Sequence, residues 1–152
     1  MVAVETPCIR IVYYPESESL LIKWLQKPGV VAFREAYLQI LKVATINNVI
    51  KFYCTDLSCI GALDREQETW LNLEYYPMVY NVIKDNIYAA VVFSEEHFKA
   101  IVSNYQVASP AAQHQFINFT YFTDLEEALF WLQSIKKGPD TALLSAAPRP
   151  FN

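Results

Sequence analysis

The sequence predicts a single α/β domain with a mixed sheet of about five strands and about four helices, in the order ββαβαβαβα. Three observations carry this. Short runs rich in β-branched and aromatic residues recur between turn residues, and the first two of them lie close enough to pair as a hairpin. Between the later runs, apolar residues repeat at helical spacing. A strand, a helix and another strand in succession form a right-handed crossover, which makes the later strands parallel.

Residues 1–7 are expected to be a loose lead-in that ends at Pro7. From Cys8 to Tyr14, Ile9, Ile11 and Tyr13 alternate with Arg10 and Tyr14, the two-residue period of a strand. The polar stretch Pro15–Ser19 turns the chain into a second strand, Ser19 to Gln26, closing the hairpin. After Lys27-Pro28-Gly29, the residues Phe33, Ala36, Tyr37, Ile40, Leu41 and Ala44 form one helical stripe, and Asn47-Asn48 end it. Val49 to Thr55 is the third strand. The next helix is expected to start at Asp64, whose carboxylate can accept from backbone N–H groups in the first turn, with Glu66 and Glu68 at the positive end of the helix dipole. Pro77 lacks the N–H that would bond the Leu73 carbonyl, so this helix should kink or stop there.

Ile87 to Phe93 is apolar on both faces, as suits a central strand covered on both sides. Ser94 is placed to cap a short helix with Phe98, Ile101, Val102 and Tyr105 inward. A loop leads to Phe116–Phe122, where Ile117, Phe119 and Tyr121 oppose Asn118 and Thr120, an alternation expected of a strand nearer an edge. In the last helix, Thr123 and Glu126 have the spacing of a capping box, and Leu125, Ala128, Leu129, Leu132 and Ile135 form the stripe. Lys136-Lys137 suit the negative dipole end, and Gly138-Pro139 stops the helix. The domain is therefore assigned to residues 8–137, and residues 138–152 are expected to be a flexible tail unless Leu143, Leu144 and Phe151 dock on a neighbour.

Composition narrows the function. The 152 residues are 53% apolar and 18% charged, with nine Phe, ten Tyr and three Trp, which excludes an intrinsically disordered chain. That aromatic content suits a buried interface as well as a core, and a homodimer is expected. A net charge of −4 with scattered Lys and Arg disfavours nucleic acid as a partner. No apolar run approaches the ~20 residues of a spanning helix, and the N-terminus lacks the pattern of a signal peptide. Cys8, Cys54 and Cys59 form an odd set without a CxxC motif, which suits free thiols in a cytoplasmic protein. Cys54, in an apolar strand, is expected in the core, and Cys59, in a loop, at the surface.

Little in the chain points to chemistry. Gly29, Gly61 and Gly138 are too far apart for a phosphate-binding glycine loop. His97 and His114 have no partner at metal-ligand spacing, and no nucleophile elbow is present, so neither a metal, a cofactor nor a catalytic residue is assigned. Glu95-Glu96 and Glu126-Glu127 sit in first helical turns, where the dipole explains them. The stretch that merits attention is Val49 to Trp70, where a strand end meets a helix start, the usual place for ligand and partner surfaces in open α/β sheets.

Three places in the sequence resemble one family. Asp56-Leu57-Ser58 follows the third strand, with Asp64 eight residues beyond Asp56. Trp70 and Pro77 are spaced seven residues apart in the following helix, and the last helix is entered through Phe122-Thr-Asp-Leu-Glu-Glu-Ala-Leu-Phe-Trp-Leu132. Together with the element order, these resemble the STAS domains of bacterial anti-sigma factor antagonists, and most of all their SpoIIAA-like branch, which is grouped with Sec14-like lipid-binding domains. The resemblance covers roughly Ile9 to Lys136. It implies a non-enzymatic regulatory module that binds a protein partner or itself through Asp56, Ser58, Asp64, Arg65 and Glu66. In the antagonists the second aspartate opens a D-S-S-G or D-S-T-G motif whose serine is phosphorylated. Here the residues are Asp64-Arg65-Glu66-Gln67, so both acceptor positions and the glycine are lost, and no phosphorylation switch is expected. The Sec14-like side of the resemblance implies an alternative, a carrier of a small hydrophobic or lipid-like ligand in a pocket lined by Trp70, Tyr75 and Tyr80. An open apolar pocket of ~300–1,000 Å³ would favour that alternative, and an interior closed by aromatic side chains would favour partner binding.

Overall fold

The computed structural model describes residues 1–46, 48–104 and 114–138. Its sheet has six strands in the linear order β1-β2-β3-β4-β5-β6: β1 (Val2–Glu5), β2 (Ile9–Tyr14), β3 (Ser19–Trp24), β4 (Phe52–Asp56), β5 (Ile87–Val92) and β6 (Ile117–Phe122). The first three are antiparallel, and β3 through β6 are parallel. This is the expected mixed α/β sheet with one strand added.

The added strand corrects the reading of residues 1–7 as a loose lead-in. Val4 and Glu5 pair with Ile11 and Arg10, and a bulge shifts the register before Val2 meets Val12. A bulged strand of four residues has no long alternation of its own, and it holds its place because β2 offers an unpaired edge.

Helix α1 (Val30–Thr45) buries Phe33, Tyr37, Ile40, Leu41 and Ala44, the stripe that the spacing predicts. The second helix is continuous from Arg65 to Ile83 and has three parts: α2 (Arg65–Trp70), a π-turn (Leu71–Tyr75) and α3 (Tyr76–Ile83). Helices α4 (Glu95–Asn104) and α5 (Leu125–Lys137) complete the order, making four helices among the described residues. Because β3 to β6 follow one another across the sheet, crossovers of one hand bring their helices to the same face. Ile22 and Trp24 of β3, Tyr53 of β4 and Ala89 and Val91 of β5 pack there with Phe33, Tyr37, Trp70, Tyr75 and Val79, and Phe98 of α4 joins the same cluster. Helix α5 returns over the opposite face, where Ala128 and Leu132 pack with Leu21, Cys54, Ala90 and Val92.

Of the expected kink or stop at Pro77, the stop does not occur: the helix continues to Ile83, and the irregularity takes the form of a wider turn. The turn before it widens, and the Tyr76 N–H bonds the Leu71 carbonyl five residues back. In that register the Asn72 carbonyl would need the N–H of residue 77, which proline lacks. The imidazole of His114 supplies the donor instead, with Nε2 at 2.9 Å from the Asn72 oxygen. A carbonyl only accepts, so Nε2 carries the hydrogen. His114 also packs edge-on against Tyr76 and Phe116. One proline thus sets the π-turn, and a residue just before β6 satisfies the group it orphans.

Two other local readings are resolved. Ser94 Oγ accepts from the His97 N–H at 3.1 Å, as its position before α4 predicts. At α5 the expected Thr123–Glu126 box is not formed: Asp124 is the N-cap, and no side chain bonds the first turn. The helix starts one position later than a Thr123 cap requires, which puts Glu126 at the second rather than the third helical position. Ile101, Val102, Tyr105 and the segment from Pro139 onward, with Leu143, Leu144 and Phe151, lie outside the described side chains.

Candidate functional site

The site forms where β4 ends. Asp56 is the last residue of the strand, beside Lys23 of β3 and Val92 of β5. It lies on the α5-facing side with Phe52 and Cys54, and only 4% of it is exposed. A buried carboxylate needs donors. Ser58 provides two, its backbone N–H at 2.9 Å and its hydroxyl at 2.6 Å, both to Oδ1 of Asp56. This is an Asx-type turn that folds the chain back as it leaves the sheet.

The rest of the loop is built from anchors and exposed tips. The Leu57 N–H bonds the Val92 carbonyl at 2.8 Å and so extends the ladder by one residue beyond the strand. The Leu57 carbonyl then accepts from Ile60 at 3.1 Å and from Gly61 at 3.0 Å. Gly61 has φ +78, a left-handed conformation that glycine adopts at little cost, and this closes the turn. Leu57, Ile60 and Leu63 point into the main core, whereas Ser58, Cys59 and Ala62 face solvent.

Asp64 then starts the helix as the sequence predicts. Its carboxylate accepts from the Gln67 N–H at 2.8 Å, and the Gln67 side chain accepts from the Asp64 N–H at 3.0 Å. Such reciprocal capping fixes the entry angle of the chain. Arg65 and Glu66, in the first turn of α2, are both exposed. One turn on, partial burial raises the Glu68 carboxyl above its usual range, with the Asp64 charge adding to the shift. The Arg34 guanidinium of α1 lies 5.4 Å from the centre of the Trp70 ring, so a cation from the neighbouring helix flanks the same surface.

The five residues assigned to partner binding are therefore neighbours along one segment but do different work. Asp56 is a buried organiser and Asp64 a helix cap, while Ser58, Arg65 and Glu66 present groups outward. Among the described residues, no direct hydrogen bond joins the Asp56–Ser58 pair to the Asp64 cap; the three apolar anchors connect them. Sequence reasoning overlooked those anchors, although Leu57, Ile60 and Leu63 recur every three residues and could have signalled a loop held down along its length.

The three residues assigned to a ligand pocket are not brought together around one space. Trp70 is buried against Phe33, Tyr37 and Tyr75, with ring centres 5.7 to 6.5 Å apart. Tyr75 also contributes to a cavity of about 70 Å³ between the sheet and helices α1 and α3, which Tyr37, Tyr53 and Tyr76 help to line. Tyr80 is exposed and packs on Phe116. A volume of 70 Å³ suits a few water molecules, and it is well below the ~300 Å³ at which ligand pockets begin. Burial pushes the Tyr37 phenol up to about 12 and raises those of Tyr53, Tyr75 and Tyr76 as well, so all four are neutral near pH 7.

Cys54 and Cys59 lie where the sequence places them, one buried and one exposed, and Cys8 is half-buried; all three are free thiols. Burial, reinforced by the Asp56 carboxylate, pushes the Cys54 thiol up to about 12. Among the described residues, no helix is long and apolar enough to cross a membrane, and no group of His, Cys, Asp and Glu side chains could hold a metal ion. No protein-family model matches the chain, and neither does any curated protein or solved structure.

Proposed function

We propose that this chain is a non-enzymatic regulatory module of the STAS, SpoIIAA-like type, which binds a protein partner or a second copy of itself through the surface from Ser58 to Glu66. The observation that carries this reading is the fixed yet exposed loop after β4. Asp56 and Asp64 pin its two ends by hydrogen bonds, three leucine and isoleucine side chains hold its middle, and Ser58, Cys59, Ala62, Arg65 and Glu66 are left facing out. A loop ordered before binding loses little entropy when a partner docks, which is how rigid surfaces gain affinity. Opposite charges on Arg65 and Glu66 would select the partner's orientation more than add to affinity.

The resemblance of element order and of the Asp56-Leu57-Ser58 stretch supports the family. The residues at 65 and 66 favour a surface that works without a phospho-serine. The filled interior weighs against the carrier alternative, since Trp70 and Tyr75 are consumed in core packing. The free thiols fit a reducing compartment such as the bacterial cytoplasm.

The test is a charge reversal at two exposed positions, Arg65→Glu with Glu66→Arg, measured by native mass spectrometry on protein purified from its own host. A protein complex or homodimer that the wild type forms and the variant loses is expected, at unchanged thermal stability. A wild type that is monomeric with a bound hydrophobic small molecule would favour the carrier and overturn the proposal.

A further inference from the structure

The cavity of about 70 Å³ between the sheet and helices α1 and α3 is lined in a way that an ordinary packing gap is not. Its polar side chains are all neutral hydroxyls, those of Tyr37, Tyr53, Thr55, Tyr75 and Tyr76. Among the described residues, the rest of the lining is aliphatic or phenylalanine, and nothing in it carries a charge. The phenols lie close together. Ring centres are 5.0 Å apart for Tyr37 and Tyr75 and 5.9 Å for Tyr75 and Tyr76. Besides burial, the phenols of Tyr37, Tyr53 and Tyr76 each push that of Tyr75 up, as neighbours do.

Of these phenols Tyr53 alone is satisfied, donating to the Ile50 carbonyl. Tyr37 and Tyr75 are only 9% and 5% exposed, yet among the described residues no group bonds the hydroxyl of Tyr75 or of Tyr76. The Trp24 indole N–H acts on the Tyr37 phenol without reaching bonding geometry, and it is itself buried without a partner. Unpaired buried hydroxyls are costly, and phenylalanine would fill the same ring positions without that cost. The hydroxyls therefore point to an occupant. A space of 70 Å³ is about half of the ~150 Å³ that takes a benzene ring, so it admits one molecule of about three or four heavy atoms. An uncharged lining disfavours an ion, which would lose its hydration and gain no countercharge. Hydroxyls donate and accept, which suits a neutral oxygen, and the aliphatic wall suits a short hydrocarbon end. Thr55, Tyr76 and Phe119 are half-buried and mark the side from which a ligand enters.

We propose that this cavity is a binding site for a small neutral oxygen compound, an alcohol or carbonyl compound of about two or three carbons, whose oxygen the Tyr37, Tyr75 and Tyr76 hydroxyls hold. The site is far too small for a lipid chain. It shares no residue with the Ser58–Glu66 surface, so either proposal stands or falls without the other.

The experiment is a titration of the full-length chain with acetone and, separately, with 2-propanol, followed by amide NMR. Four heavy atoms can support a Kd of about 1 mM. Saturable shifts with a Kd near that value are expected for at least one probe at lining residues such as Ile22, Ala89 and Ile117. Isobutene, which has the shape of acetone without the oxygen, should bind roughly tenfold more weakly or not at all. Tyr75→Phe and Tyr76→Phe keep both rings, and each should weaken binding about threefold to tenfold while amide shifts outside the cavity stay in place. Shifts that only grow linearly with both probes, as a cavity holding water alone would give, would overturn the proposal. So would isobutene binding as tightly as the oxygen compounds, or a Tyr75→Phe, Tyr76→Phe double variant that binds them as the wild type does.

Discussion

Replacing Asp56 by alanine is the sharpest perturbation of the β4 loop. The substitution removes a buried carboxylate that accepts two hydrogen bonds from Ser58, at 2.9 and 2.6 Å, and leaves the Ser58 N–H without its partner. Hydrogen bonds to a charged group contribute about 1.5–3 kcal/mol, and the change also relieves the cost of holding that charge out of water. A net loss of about 2–3 kcal/mol follows, which in a chain of this length lowers Tm by roughly 4–12 °C. Ser58→Ala removes only the hydroxyl bond, and because Ser58 is exposed and water can take the donor's place, it should cost less, about 1 kcal/mol. Urea unfolding followed by circular dichroism measures both, and amide exchange locates the damage. Faster exchange at Ile60 and Gly61, whose N–H groups bond Leu57, is expected in Asp56→Ala ahead of any change in β5. If Asp56→Ala loses less than about 0.5 kcal/mol, or no more than Ser58→Ala, the carboxylate does not organise the loop.

Three further outcomes follow from the interior. The phenols of Tyr37, Tyr53, Tyr75 and Tyr76 are raised in the fold above the usual value of 10.0, so the unfolded chain ionises first. Their contribution to stability is complete below pH 10 and is lost as pH rises above it, so alkaline unfolding should coincide with late tyrosinate absorbance; early ionisation at native circular dichroism would contradict this. His114→Ala leaves the Asn72 carbonyl without its donor and should cost about 1–2 kcal/mol in thermal unfolding, while no measurable loss would mean that water replaces the imidazole freely. A thiol reagent at pH 8 should modify Cys59 first, Cys8 more slowly, and Cys54 only on unfolding, because burial holds its thiol neutral; rapid reaction of Cys54 in folded protein would refute its placement.

Local spacing made much of the fold legible. The period-two runs of β2 and β6, the α1 stripe and the Asp64 and Ser94 caps are each decided within one turn or one strand of sequence, and each stands as expected. What escaped depends on distant residues. The strand at Val2–Glu5 exists because β2 needs a partner, and the π-turn at Leu71–Tyr75 is satisfied by a histidine 42 positions away. In the site, the sequence points to Asp56 as a partner-binding residue, whereas the structure buries it. Its burial follows from the ladder continuing through Leu57 to Val92, which no local pattern announces. Trp70 and Tyr75 resembled pocket residues because the sequence does not show that α1 brings Phe33 and Tyr37 against them.

Native mass spectrometry of the chain purified from its own host tests the proposed function most directly, since it weighs protein partners and small ligands in one measurement. A complex with a protein partner or a homodimer, broken by Arg65→Glu with Glu66→Arg, is the expected result. A monomer that carries a hydrophobic molecule and ignores that substitution would contradict it.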